Sequence, residues 1–170
     1  MLSAALAVAV RLAAVDVPWL LSGSAGRAFL GFSRRPRDVD VEVPEESIHR
    51  AARALGATPA FREDTGRSGW RATTSVRGVE VDLSAGLTVA RVDGRPPLRA
   101  DFELEEEFAS AVALAGRTIR IAPVEEQMAV AIVSADWARL ARTVAGAPAG
   151  FRPRPAYFER RLAAAPRAAS

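Results

Sequence analysis

Residues 38–43 read Asp-Val-Asp-Val-Glu-Val, acid and valine in strict alternation. Successive side chains of a β-strand leave opposite faces, so this segment reads as a strand with one apolar and one acidic face. Asp38 and Asp40 then share a face, about 7 Å apart along the strand, while Val39, Val41 and Val43 anchor the other face in a core. Residues 79–84 repeat the design: Val79, Val81 and Leu83 are apolar, and Glu80, Asp82 and Ser84 are polar. If the two strands pair, Asp82 completes a cluster of three carboxylates. Like charges on adjacent strands repel, and a hard divalent cation shared among them gives such a cluster a reason to exist. The competing reading of either run is an edge strand with a solvated acidic face.

Composition narrows the chemistry. All 23 basic residues of the 170 are arginine; there is no Lys, Cys or Asn, and His49 and Tyr157 are single. That excludes a Schiff-base or P-loop lysine, a thiol nucleophile, a disulfide scaffold and a Cys/His zinc site. Carboxylates, hydroxyls, backbone amides and arginines remain, a toolkit suited to carboxylate-held metal acting on phosphates. The formal charge of +3 is a weak argument for nucleic-acid binding. A chain without cysteine fits a reducing cytoplasm, the location expected here. The apolar start, residues 1–10, lacks a basic flank, and Arg11 and Asp16 interrupt it before it could span a bilayer. It reads as a buried first helix, and no membrane partner is expected.

Along the chain, 3–15 reads as helix with Ser3 as cap, 17–22 as a buried strand, and 25–30 as a helix ended by Gly31. The acidic strand is followed by a helix from Pro44 to Leu55, stopped by Gly56, with an apolar stripe of Ile48, Ala51, Ala52 and Leu55. Strands are expected at 58–62, 70–76 and 79–83, the last two joined at Arg77-Gly78, and at 111–115 and 118–122 around Gly116-Arg117. Residues 124–134 and 136–144 read as helices, the second capped by Asp136. The class is α/β or α+β with a small mixed sheet. Residues 1–146 form the main domain; 147–170 form a Pro/Arg-rich linker and short terminal helix, whose aromatic residues dock while its arginines stay in water. Trp19 reads as core and Trp137 as packing. Trp70 reads as a core or boundary residue, with base stacking as the alternative. His49 is a boundary histidine, and Glu105 to Glu107 form a solvated charge run.

Gly23-Ser24 sits between an apolar strand and a helix. Gly permits the turn, Ser24 caps the helix and offers a hydroxyl, and the free amides of a helix start attract anions. Arg27 falls in the first turn, against the helix dipole, a conflict that a bound phosphate relieves. Arg34, Arg35 and Arg37 directly precede Asp38. Together, Gly23 to Asp40 offer a triphosphate amides, a hydroxyl, arginines such as Arg27 and Arg37, and two metal-binding carboxylates.

This order of motifs resembles the nucleotidyltransferase superfamily that includes DNA polymerase β. WLLSGSAGRAFLGFSRRPRDVDVEV is similar to its strand, Gly-Ser helix and Asp-x-Asp strand; VEVDLSAG resembles the strand carrying its third carboxylate. GRTIRIAPVEEQMAVAI resembles a region of small prokaryotic members, among them lincosamide and aminoglycoside nucleotidyltransferases and abortive-infection toxins. The likeness covers residues 17–144. It implies a minimal nucleotidyltransferase fold, a small mixed sheet flanked by helices, with further helices at the C-terminus. It implies that Gly23 and Ser24 hold nucleotide phosphates and that Asp38 and Asp40 bind two Mg²⁺ ions, Mn²⁺ being the alternative. Asp82 would bind one ion and assist deprotonation of the acceptor. The implied reaction moves a nucleoside monophosphate from a nucleoside triphosphate to a hydroxyl of a small molecule, a tRNA or a protein, releasing pyrophosphate.

The chain departs from the family where small relatives often carry a helix lysine. Ala129 and Ala131 stand around that position, and of a following Lys-Asp pair only Asp136 remains. An arginine such as Arg71, Arg139 or Arg142 would have to take its place. Two other readings stay open: a catalytically silent nucleotide- or partner-binding module on this fold, and an arginine-driven RNA-binding protein with steep salt dependence.

Overall fold

The computed structural model describes residues 1–33 and 35–163; Arg34 and the end of the terminal tail lie outside the described residues. The chain runs α1 (Leu2–Ala13), β1 (Leu20–Ser22), α2 (Gly23–Phe29), β2 (Val39–Glu42), a 3₁₀ turn (Glu45–Ser47), α3 (Ile48–Leu55), β3 (Ala60–Asp64), β4 (Arg67–Val76) and β5 (Val79–Val89). It continues with β6 (Leu98–Arg99), α4 (Phe102–Glu107), β7 (Ser110–Leu114), β8 (Arg117–Ile121), α5 (Val124–Val133), α6 (Trp137–Ala145) and α7 (Pro155–Ala163).

One mixed sheet of eight strands, ordered β3-β4-β5-β2-β1-β8-β7 with β6 beside β5, organises the molecule. The alternating strand β2 lies at its centre, antiparallel to β1 and parallel to β5. Its valine face is fully buried at Val39 and Val41, packed in one core with Leu21, Val81, Leu83, Ile119 and Ile121 of the neighbouring strands. Helices α1 and α3 close that core with Ala4, Val8 and Leu12 and with the expected stripe Ile48, Ala51, Ala52 and Leu55. Each fully buried Leu or Ile contributes about 1.5–3 kcal/mol through loss of apolar surface from water. Gly56 ends α3 in the left-handed conformation, φ 76°, that its missing Cβ allows. Among the described residues no helix is long and apolar enough to cross a membrane.

Several sequence expectations are corrected. Met1, not Ser3, precedes the first helical residue. The first strand is confined to Leu20–Ser22, and the second helix starts at Gly23 rather than Ala25. Strand β5 continues to Val89, and β6 pairs with its far end. The acidic run 105–107 belongs to a helix, because the Asp101 carboxylate accepts the Leu104 N–H at 3.0 Å and Leu104 and Glu105 turn inward. Trp137, expected to pack, is 60% exposed.

The tail also differs from expectation. Two of its arginines, Arg154 and Arg161, are fastened to α5, while Arg152 and Arg160 stay exposed as expected. Arg154 donates from its backbone and guanidinium to the buried Glu125 at 2.8–2.9 Å and to the Phe108 carbonyl at 2.7 Å. Buried Arg161 forks onto Glu126 at 2.6 and 2.7 Å, and the buried Tyr157 hydroxyl donates to the same carboxylate at 2.6 Å. Proline at the first position of α7 removes an N–H that would have no helical partner. Close to this pair lies Glu105, 1% exposed, with Oε2 lacking any partner. Burial, then the charges of Glu42 and Glu126, push its pKa well above the ordinary carboxyl value, which favours the protonated form.

Two outcomes are expected. Arg161→Met leaves Glu126 charged and buried without its ion-pair partner, and should cost about 3–5 kcal/mol in denaturant unfolding. For Glu105, the folded chain retains a proton that the unfolded chain releases near pH 4.5, so its contribution to stability declines as pH rises above that value. Glu105→Gln keeps a donor toward Glu42 without the titration. Urea unfolding from pH 5 to 8 should show a flatter pH dependence and a gain in stability at pH 8.

Candidate active site

The acidic face of β2 is opposite the face packed on α1 and α3. Asp40 stands in direct register with Asp82 of β5 on one side and Ser22 of β1 on the other. Asp38, two residues earlier, stands in the bend immediately before that strand. Asp38, Asp40 and Asp82 each offer one carboxylate oxygen, all within 4.8 Å of one another, and each residue is half-buried. The three residues singled out in sequence therefore meet. Burial first, then the charges of Asp38 and Asp82, raise the Asp40 pKa to about 6; the Ser24 backbone N–H opposes the shift. Three hard oxygen donors, half-exposed and mutually repelling, fit a divalent cation of the Mg²⁺ or Mn²⁺ kind.

The first residues of α2, Gly23 and Ser24, close on these carboxylates where the chain turns out of β1. Gly23 adopts φ +60°, and a Cβ there would lie 1.6 Å from Oδ2 of Asp40. Both the backbone conformation and the space thus require glycine. Ser24 was expected to cap the helix, but Ser22 occupies that position without a side-chain bond. The Ser24 hydroxyl instead donates to Oδ1 of Asp38 at 3.1 Å. On the far side, the Thr73 hydroxyl of β4 donates to Oδ1 of Asp82 at 2.7 Å. Sequence reading missed Thr73, although a two-residue turn at Arg77-Gly78 places it opposite Asp82 by simple hairpin counting. It also missed Gln127 of α5, whose Nε2 donates to the Gly23 carbonyl at 3.3 Å across 104 residues of sequence. No local signal marks that contact.

The arginines separate into groups. Arg27 falls in the last turn of α2, where a cation suits the helix dipole, so the conflict inferred from sequence is absent. It is buried, and with Arg142, Phe32, Ser33 and Thr143 it lines a cavity of about 390 Å³. Arg37 is exposed beside Asp38. Arg71 bonds Asp64 at 3.3 Å. Arg139 is half-buried on α6, in electrostatic range of Asp40; burial, then the repulsion of Arg67, hold its pKa below the ordinary arginine value. Trp70 packs edge-on against His49 and Phe61, with ring centroids at 5.1 and 5.7 Å, and is a boundary aromatic.

No protein-family model and no curated protein matches the sequence. Solved structures do match in fold. A Thermotoga maritima protein, TM1012, inferred to be a nucleotidyltransferase, aligns with a TM-score of 0.62 at 18% identity over 81% of this chain and 83% of its own. The antibiotic-resistance factor ANT(2")-Ia, in complex with adenylyl-2"-tobramycin, aligns with a TM-score of 0.55 at 14% identity over 85% of this chain and 87% of its own. The lincosamide antibiotic adenylyltransferase LnuA, bound to lincomycin, aligns with a TM-score of 0.52 at 12% identity over 86% of this chain and 98% of its own. The chain has the nucleotidyltransferase fold and resembles the lincosamide and aminoglycoside enzymes in architecture.

Proposed function

We propose that the chain is a metal-dependent nucleotidyltransferase, moving a nucleoside monophosphate from a nucleoside triphosphate to an acceptor hydroxyl. The observation that carries this reading is the convergence of Asp38, Asp40 and Asp82 beneath the Gly23-Ser24 turn. In the reaction the acceptor oxygen bonds to the α-phosphorus, the bond to the bridging oxygen of the β-phosphate breaks, and pyrophosphate leaves. Asp38, Asp40 and Asp82 would hold a divalent cation, which would supply charge neutralisation at the attacked phosphate and a lowered pKa for the acceptor hydroxyl.

The chain's own residues divide the remaining work. Gly23 lets the backbone approach the carboxylates, and the Ser24 hydroxyl and amide orient Asp38 and Asp40 while facing the phosphates. Thr73 holds Asp82, the group nearest in role to a base for the acceptor proton. Arg37, exposed beside Asp38, is one phosphate ligand, and Arg27, which lines a cavity with Arg142, is the second arginine assigned to the triphosphate. Arg139 takes the place of the missing helix lysine, since it is the half-buried cation in electrostatic range of Asp40. Arg71 does not, being engaged by Asp64. The acceptor is a small hydroxylated molecule, a tRNA or a protein, and the setting is cytoplasmic.

The purified chain, incubated with labelled nucleoside triphosphates, Mg²⁺ and acceptors of each class, should transfer label and release pyrophosphate. Asp40→Asn should lower the rate by about three orders of magnitude or more, the scale of a lost transition-state charge contact. Metal-dependent triphosphate binding without turnover on any acceptor would instead favour a silent binding module. Because Asp40 takes up a proton near pH 6, cation and proton compete for it. Mn²⁺ affinity, read by electron paramagnetic resonance, should hold steady above that value and fall about tenfold per pH unit well below it. Arg139→Ala should raise the KM for triphosphate by about tenfold while leaving Mn²⁺ binding unchanged, as expected when one charged contact to phosphate is lost.

A further inference from the structure

The first turn of α5 carries three consecutive polar residues that reach in two directions. Glu125 and Glu126 grip Arg154, Tyr157 and Arg161 of the tail. Gln127 reaches the other way, its Nε2 donating to the Gly23 carbonyl at 3.3 Å. Its other amide atom, Oε1, is buried and has no hydrogen-bond partner, one of two such side-chain atoms among the described residues. A buried orphan oxygen is a standing cost to folding that methionine, of similar length and volume, would avoid. Packing alone therefore does not account for glutamine here. The contact with Gly23 does.

Gly23 is the least adjustable point of the site. Its Cα lies against the Asp40 carboxylate, at a φ of +60°. The next residue, Ser24, bonds Asp38 through its hydroxyl and Asp40 through its backbone N–H. A small displacement of this turn is thus passed to two of the three clustered carboxylates. We propose that Gln127 is a positioning residue: it clamps the Gly23-Ser24 turn from α5 and so sets the spacing at which Asp38 and Asp40 receive a cation. The tail, by pinning the same turn of α5, holds the clamp in place. The inference rests on the metal-dependent reading of the site but concerns a residue that touches neither cation nor substrate.

The test compares wild type with Gln127→Met by Mn²⁺ binding and thermal unfolding. Loss of a group that orients metal ligands should weaken Mn²⁺ binding by about tenfold, while removal of the orphan oxygen leaves the melting temperature unchanged or raised. Opposite movement of affinity and stability is the signature of positioning. Unaltered Mn²⁺ affinity overturns the proposal. So does a melting temperature that falls in step with affinity, or a variant that does not fold, since either makes Gln127 structural. If wild type itself binds no Mn²⁺, the metal-dependent reading fails first and the clamp with it; if wild type binds and Asp40→Asn does not, only the clamp is at stake in the Gln127→Met comparison.

Discussion

The repulsion between Asp40 and Asp82, held side by side by the pairing of β2 with β5, is the constraint around which the molecule is built. Nothing in the acidic face brings these groups together. The apolar faces do: Val39, Val41, Val81 and Leu83 gain by leaving water, and their burial fixes the two strands in a register that sets carboxylate against carboxylate. The valine face is thus stable at the expense of the aspartate face. Burial first, and then the charges of Asp38 and Asp82, raise the Asp40 pKa to about 6. Ser24 and Thr73 donate hydrogen bonds to the cluster, and these act against the repulsion.

The same acidic face continues beyond the site to Glu42, and there the protein handles charge in the opposite way. Helices α4, α5 and α7 cover Glu42's neighbours, so that Glu105 and Glu126 are buried with Arg161 and Tyr157. One carboxyl keeps its proton, one is neutralised by a forked guanidinium, and the region becomes a fastening for the tail. Half-exposed and acidic at Asp38, Asp40 and Asp82, buried and paired at Glu126, this part of the protein treats carboxylates in two opposite ways. Helix α5 joins the two regions through Glu125, Glu126 and Gln127. Without any lysine, every cationic partner is a guanidinium, whose planar fork suits the two-toothed pairing seen at Glu125 and Glu126.

Local pattern made much of this legible. The period of two in 38–43 and 79–84 identified both acid-bearing strands, and the helical spacing of Ile48, Ala51, Ala52 and Leu55 identified the face that closes the core. Gly23 was recognised as a turn residue from its type alone. Patterns that depend on partners were read less well. The charge run at Glu105 has the composition of a solvated surface, and only the inward rotation of α4 against Glu42 makes it core. Arg27 was placed at the wrong end of its helix because two residues' difference in the helix start reverses the sign of the dipole it feels. Arg154 and Arg161 were assigned to water because their carboxylate partners lie about thirty residues upstream.

By itself, then, the sequence determined which side chains share a face: a strand's period and a helix's period are properties of the backbone, independent of what packs nearby. It determined that Asp38 and Asp40 emerge together and that chemistry here rests on carboxylates, hydroxyls, amides and arginine. Tertiary structure decided which faces meet. The alignment of Asp82 with Asp40, the engagement of Arg71 by Asp64, the burial of Glu105 and the reach of Gln127 to Gly23 each depend on pairings between distant segments. Those pairings are selected by the whole core at once, through apolar area that no single segment can bury alone.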